Sequence, residues 1–381
     1  MTIHWCGTGL SAIPGLRSLI EADLDVVVWN RTIAKAEEAV GDIQKDIRVF
    51  DLDAVSEAVQ KEDVVISMLP GDLHVPLAKI CISKSVNFVS SSYIAPEMRA
   101  LETSAKEAGV VLVNEVGLDP GIDHLFAHVL VDDYRNSAAH DAENDLSFIS
   151  YCGGIPKTPN PFLYKFSWSP LGVLKALRSP SKSIRDFKEL DVNRPWDAIS
   201  SYTAPLPTPE AFEVYPNRDS LPFIADYKLD GDTRIKEFVR GTLRLQGWKE
   251  AWADVFAEIE TLSGSEGDQR LAEMSANFWS ENAYEDGEPD RVVMCVALKA
   301  ERDGKPVYHK TYTMDAWGTD QSTAMARLVS VPVSLAVQAV AAGKFAPGVH
   351  AAPSEMSLVQ PWLQKIGTLA QHIELHNHLS E

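Results

Sequence analysis

Six residues near the start of the chain, Gly7-Thr8-Gly9-Leu10-Ser11-Ala12, have types and spacing that bind a dinucleotide. They follow the short apolar run Ile3–Cys6 and precede a helical stretch opening near Pro14, a G-x-G-x-x-A pattern. Glycines there permit a tight turn and close backbone approach, and the N-terminus of the following helix receives a pyrophosphate. The end of the second apolar run reads Trp29-Asn30-Arg31-Thr32, where chains that bind NAD usually carry an Asp or Glu for the ribose 2′-hydroxyl. A guanidinium beside a hydroxyl suits a 2′-phosphate, which a carboxylate would repel, so NADP(H) is expected ahead of NAD.

A second set of residues has the chemistry for handling protons and carboxylates. In Leu118-Asp119-Pro120-Gly121 a turn ends one element and begins a helix, so Asp119 can bind an ammonium, move a proton or cap the helix. Tyr93, Cys152 and Lys165 are the other candidate bases, with Asp119 ranked first. Ser92 and Tyr93 follow the fifth apolar run, at the carboxyl edge of the expected sheet. Arg218 and Arg240 can clamp carboxylates bidentately, with Arg244 and Lys165 as weaker candidates. His74, close to Ser67-Met68-Leu69-Pro70, can donate a proton but reads first as a surface or packing residue of a loop. His124 and His128 stand four apart, as do His372 and His376, a spacing that permits zinc on a helix face. The first pair lies in an apolar helix and the second in a polar terminus, so no metal is expected.

The elements that must position these groups come in two textures. Up to about residue 115, apolar runs at Ile3–Cys6, Val26–Trp29, Arg48–Phe50, Val64–Met68, Phe88–Ser90 and Val110–Asn114 alternate with stretches of helical spacing such as Ala34–Val40 and Leu52–Val59. That alternation predicts consecutive βα units on a doubly wound parallel sheet. After Gly117–Gly121 the pattern breaks and prolines accumulate, among them Pro205, Pro207 and Pro209, so a domain boundary is expected near residue 120. A strand pair is expected at Val292–Ala300 and Val307–Met314 around Arg302-Asp303-Gly304-Lys305, then a core helix over Ala324–Ala342. Residues 262–290, acidic and weakly periodic, read as an exposed connector.

Composition narrows the field. A chain of 381 residues, 45% hydrophobic and 23% charged, is globular and of two-domain size. The net charge of −19 repels nucleic acid and acidic membrane surfaces and leaves room for a small anionic substrate only where cations gather. No stretch approaches eighteen uncharged apolar residues, and the N-terminus lacks the basic region and cleavage site of a signal peptide, so a cytoplasmic location is expected. The four scattered cysteines, Cys6, Cys81, Cys152 and Cys295, read as buried free thiols.

From Phe88 onward the sequence resembles the saccharopine dehydrogenase family, in its glutamate-forming branch. The resemblance is carried by Val89–Ile94, Asn114–His124, Tyr151–Pro156, Tyr164–Ser169, Tyr215–Ser220, Arg240–Arg244 and Ser322–Ala326, together with the glycine pattern. It implies a Rossmann-type domain over residues 1–120, completed by about 343–381, and a second α/β, mixed-sheet substrate domain over 121–342. It further implies oxidation of saccharopine, a small anionic amino acid, to glutamate and 2-aminoadipate 6-semialdehyde. Carried over to this sequence, the family pattern assigns Ser92, Tyr93, Asp119, Arg218, Arg240, Gly241 and Thr242 to substrate, with Asp119 and Tyr93 catalytic. To the cofactor it assigns Gly7, Gly9, Leu10, Ser11, Asn30, Arg31 and Thr32. Leu69, Ser91, Ser92, Leu118, Asp119, Pro120 and Trp168 join them. Family members carry a longer, helical insertion after the position of Trp248, for which the acidic connector stands in here. Two alternatives stay open: a carboxynorspermidine-type dehydrogenase, and a sensor that binds NADP without turnover. The oligomeric state is also open, a homodimer included.

Overall fold

The computed structural model describes residues 1–231 and 234–379. The chain divides into two compact units, one made of Met1–Leu125 with Ala326–Ile366, the other of Phe126–Met325 with the residues from Gly367 onward.

In the first unit the apolar runs become parallel strands: β1 (Ile3–Cys6), β2 (Val26–Asn30), β3 (Ile47–Val49), β4 (Val64–Ser67), β5 (Asn87–Ser90) and β6 (Val111–Val113). Such runs suit strands covered by helices on both faces, and β1 and β4 are buried at every position. A seventh strand, Gly348–His350, pairs in parallel with β6, and the order across the sheet is Gly348–His350, β6, β5, β4, β1, β2, β3. Strand order reverses between β1 and β4, which is where an open sheet of this kind leaves a crevice beyond its carboxyl ends.

The second unit is built on a nine-stranded mixed sheet. Its strands are β7 (Asp145–Pro156), β8 (Ser181–Arg185), β9 (Lys188–Val192), β10 (Ser200–Ala204), β11 (Glu210–Pro216), β12 (Ile235–Leu245), β13 (Asp290–Arg302) and β14 (Lys305–Trp317). The ninth is the edge strand His372–Asn377, antiparallel to β14. β13 and β14 form the expected hairpin, turning at Asp303 and Gly304, whose φ angles of 51° and 73° suit the twist of the flanking strands.

Two expectations are corrected. The nucleotide unit is not completed by 343–381. It takes the chain from Ala326 to Ile366, because the Ala324–Ala341 helix packs against the first helix of the chain, and it loses the tail, whose backbone pairs with β14. Nor is 262–290 an open connector: Gly264–Asn282 is helical and lays Leu271 and Met274 on an aromatic core with Trp248, Trp252 and Phe256, while Phe278 packs beside them. All four cysteines are buried thiols outside any disulfide. Among the described residues the Ala324–Ala341 helix is long and apolar enough to cross a membrane, but it carries Arg327 and 72% of it is buried in the fold, as the expected core helix would be.

The contact between the first helix (Ile13–Glu21) and the Ala324–Ala341 helix is as close as backbones allow. The Gly15 N–H donates to the Ser330 hydroxyl at 2.8 Å, and a Cβ on Gly15 would stand 2.1 Å from the Ser330 carbonyl oxygen. Gly15→Ala is therefore expected to push the helices apart and cost about 1–3 kcal/mol of stability, read as a lower Tm; an unchanged Tm would show that the contact gives way freely.

Candidate active site

The loops leaving β1, β4, β5 and β6 gather at the carboxyl edge of the parallel sheet. Gly7 follows β1 with φ 104°, and a Cβ there would lie 2.6 Å from the Met68 carbonyl oxygen, so glycine is required for the loops after β1 and β4 to approach. At Gly9 a side chain would meet nothing within 4 Å, which leaves the approach over the turn open. Leu10 and Ser11 continue the turn into the Ile13–Glu21 helix. Asn30, ending β2, accepts from the Thr8 N–H at 3.3 Å and donates to the Thr32 carbonyl at 2.8 Å, so one amide fixes both the glycine turn and the loop carrying Arg31. Arg31 and Thr32 are exposed there. These are residues that could hold a 2′-phosphate.

Across the edge, Leu69 packs at Gly7 and the Ser91 Oγ donates to the Met68 Sδ at 3.9 Å. His74 is not the loop residue expected. It begins the His74–Lys84 helix, is 7% exposed, and stands between the Ser67 Oγ at 2.7 Å and the Ser92 Oγ at 2.8 Å. The fixed path runs from the end of β4 to a candidate substrate residue after β5.

Tyr93 and Asp119 are brought together: the Tyr93 hydroxyl donates to the Asp119 Oδ1 at 2.9 Å. Residues that went unnoticed in the sequence hold this pair. Glu115, buried and left-handed with φ 56°, donates its N–H to the Ser92 carbonyl at 3.0 Å and accepts from the Ile94 N–H at 2.8 Å, so it grips the loop on both sides of Tyr93. Its other carboxylate oxygen lies 3.1 Å from the His124 Nε2. The neighbouring Asp123 accepts from the Gly121 N–H at 2.7 Å, and the Gly117 N–H donates to the Pro120 carbonyl at 2.9 Å. Gly121, at φ 148°, has no room for a Cβ, which would fall 2.1 Å from the Gly117 carbonyl oxygen. The turn Leu118-Asp119-Pro120 is thus clamped beneath the Asp119 side chain. His124 serves this clamp, and His128 meets the Tyr227 ring edge-on.

In the second unit, Arg218 and Arg240 are neighbours in backbone terms. The Asn217 N–H donates to the Arg240 carbonyl at 2.9 Å, and the Arg240 N–H donates to the Ser220 Oγ at 3.0 Å. Arg218 is exposed, whereas Arg240 is buried with its guanidinium 3.9 Å from the Phe223 ring centroid. Gly241 allows close passage, since a Cβ would meet the Tyr215 carbonyl oxygen at 2.6 Å and the Tyr151 ring at 2.9 Å. Thr242 lies opposite Tyr215 and Cys152 in register. Arg244, the weaker candidate on sequence grounds, is 5% exposed and caged by Tyr164, Trp248 and Tyr215 at 4.8, 5.4 and 5.7 Å. Burying a guanidinium is costly unless an anion or aromatic faces compensate. Lys165 is engaged by Glu288 at 2.5 Å, which removes it from the set of candidate bases. Trp168 lies in this second unit, donating to the Tyr164 hydroxyl at 3.3 Å with its ring over Gly172.

A parallel sheet in this order, with a glycine turn at its reversal and polar groups on the adjoining loops, defines a dinucleotide-binding α/β protein. The chain belongs to the saccharopine dehydrogenase family: the model of its NADP binding domain matches residues 7–113 and that of its C-terminal domain residues 117–368. A saccharopine dehydrogenase [NADP(+), L-glutamate-forming] of Pyricularia oryzae is 36% identical over 268 residues, covering 68% of this chain and 58% of that protein. The protein of the same description from Schizosaccharomyces pombe is 28% identical over 445 residues, covering 94% of this chain and 95% of its own. That alignment is longer than this chain, so the relative carries segments with no counterpart here. The structure of apo saccharopine dehydrogenase (L-Glu forming) from Saccharomyces cerevisiae, 28% identical, superimposes with a TM-score of 0.80 over 99% of each chain.

Burial drives the His74 pKa from the ordinary 6.5 down to about 4, against a smaller opposing pull from Asp72. Unfolded, the imidazole takes up a proton as the pH falls through 6.5; folded, it stays neutral until about 4, so its stabilising contribution is complete above the ordinary value and is lost across that window on acidification. Between about pH 8 and about pH 5 the chain is expected to lose about 2 kcal/mol more than a His74→Gln variant. Urea denaturation at the two pH values measures this, and equal losses would dismiss the neutral, buried imidazole.

Proposed function

We propose that this chain is an NADP(H)-dependent saccharopine dehydrogenase of the L-glutamate-forming type, interconverting saccharopine with L-glutamate and 2-aminoadipate 6-semialdehyde. The observation that carries the reading is the Tyr93–Asp119 pair, held at the carboxyl edge of a dinucleotide-binding sheet. The activity of the relatives, whose lengths this chain covers by 58% in the first case, supports the choice of substrate.

Held by the residues of the glycine turn and by Asn30, Arg31 and Thr32, a bound NADP+ would supply the hydride acceptor for oxidation of the lysine-side carbon on the bridging nitrogen of saccharopine, and water would hydrolyse the resulting imine to glutamate and the semialdehyde. The chain's own residues do the rest. Asp119 receives the proton that leaves the nitrogen, and the Tyr93 hydroxyl, hydrogen-bonded to that carboxylate, keeps it aimed. Ser92, fixed by His74, donates to the substrate. Arg218, Arg240 and Arg244 bind its carboxylates, supplying the local cations that a chain of net charge −19 needs to attract an anion. Thr242 lines the same clamp, and Gly241 lets the chain pass close to it. Gly7, Gly9, Leu10 and Ser11 cradle the pyrophosphate, while Asn30, Arg31 and Thr32 hold the 2′-phosphate. Leu69, Ser91, Leu118, Pro120 and Trp168 are assigned to the remainder of the cofactor.

Following NADPH formation with saccharopine tests the reading, and no turnover with either NADP+ or NAD+ would end it. In the same assay Asp119→Asn is expected to lower kcat by roughly 10²–10⁴-fold while NADPH binding, followed by fluorescence, persists. Arg31→Ala should lose its preference for NADP+ over NAD+; an unaltered ratio would take Arg31 out of that role.

A further inference from the structure

The edge strand His372–Asn377 changes the meaning of its histidines. The spacing of four between His372 and His376 reads as helical in the sequence, yet on a strand alternate residues share a face, so His372, Glu374 and His376 project together. Thr313 of β14 lies opposite Glu374 in register and is fully buried. The Nε2 atoms of His372 and His376 stand 3.5 and 3.7 Å from the same Glu374 Oε2, and 3.4 and 3.1 Å from the Thr313 Oγ1. One ligand atom from each of the three side chains lies within 4.8 Å of the others.

We propose that His372, Glu374 and His376 form a binding site for one divalent transition ion of the zinc class. Tetrahedral zinc with nitrogen and oxygen ligands at about 2.1 Å sets those ligand atoms about 3.4 Å apart. Both nitrogen–oxygen separations are already close to that edge length. Two imidazoles and one carboxylate select a borderline ion over calcium or magnesium, which prefer shells of oxygen alone. A single strand supplies all three ligands, so the backbone is ordered before the ion arrives and the ligands need only rotate. His378 continues the row, but its Nε2 is engaged by the Thr311 Oγ1 at 2.9 Å and its ring lies tilted against that of His309, with centroids 4.1 Å apart. The site stands apart from Asp119 and the nucleotide turn in sequence and does not depend on the proposed reaction. Because all three ligands lie on that strand, a bound ion holds His372–Asn377 in its extended conformation.

The test uses the full chain without an affinity tag, stripped with chelator and titrated with zinc chloride in a calorimeter. One zinc per chain is expected, with magnesium chloride giving no heat of binding and zinc raising the Tm. The His372→Ala/His376→Ala variant should bind at least about tenfold more weakly and lose the Tm response. Glu374→Gln, which alters an exposed side chain and leaves the backbone pairing with β14 intact, should weaken binding in the same direction and guards against misfolding of the double variant. Zinc binding of equal strength in all three proteins, or no saturable binding by the unaltered chain, overturns the proposal.

Discussion

The buried carboxylate of Glu115 is the constraint on which the candidate site depends. It sits where the chain leaves β6, in a left-handed conformation that a side chain adopts only when its surroundings hold it there. Those surroundings are the loop it grips at Ser92 and Ile94 and the imidazole of His124. Losing either carboxylate contact, at Ile94 or at His124, would leave a buried polar group short of a partner, which costs more than the contact itself contributes. The two loops that carry Tyr93 and Asp119 are therefore locked through one residue that has no role in the proposed chemistry.

Much of the fold is readable from the sequence because the first unit obeys simple periodicities. Short apolar runs alternating with stretches of helical spacing read as strands buried on both faces, and Gly7 and Gly9 can be placed because they stand where such a run turns into a helix. The helix Gly264–Asn282 is far less visible: its buried stripe is Leu271 and Met274 with Phe278 beside them, diluted among acidic and small residues, and only packing on Trp248 and Trp252 gives the pattern its weight. The tail misleads for a different reason, since pairing with β14 is a long-range backbone event that no local spacing announces.

The site divides along the same line. Asp119, Tyr93 and the arginines are recognisable by chemical type and motif. Their ranking is not, because type says nothing of surroundings: Arg244 looks ordinary until three aromatic rings enclose it, and Lys165 looks available until Glu288 meets it. His74 is the clearest instance, a loop residue by appearance that the fold turns into a neutral hydrogen-bonded link between two serines.

The route of the chain between its units has a topological result. The polypeptide begins in the first unit, leaves for the second, returns for Ala326–Ile366 and ends in the second. Neither unit is an uninterrupted length of sequence, so three peptide crossings join them and no single cut can release either one whole. Gene fragments that stop at Ile366 would strip the second unit's sheet of its edge strand, and exchange of one unit alone would demand three matched breaks.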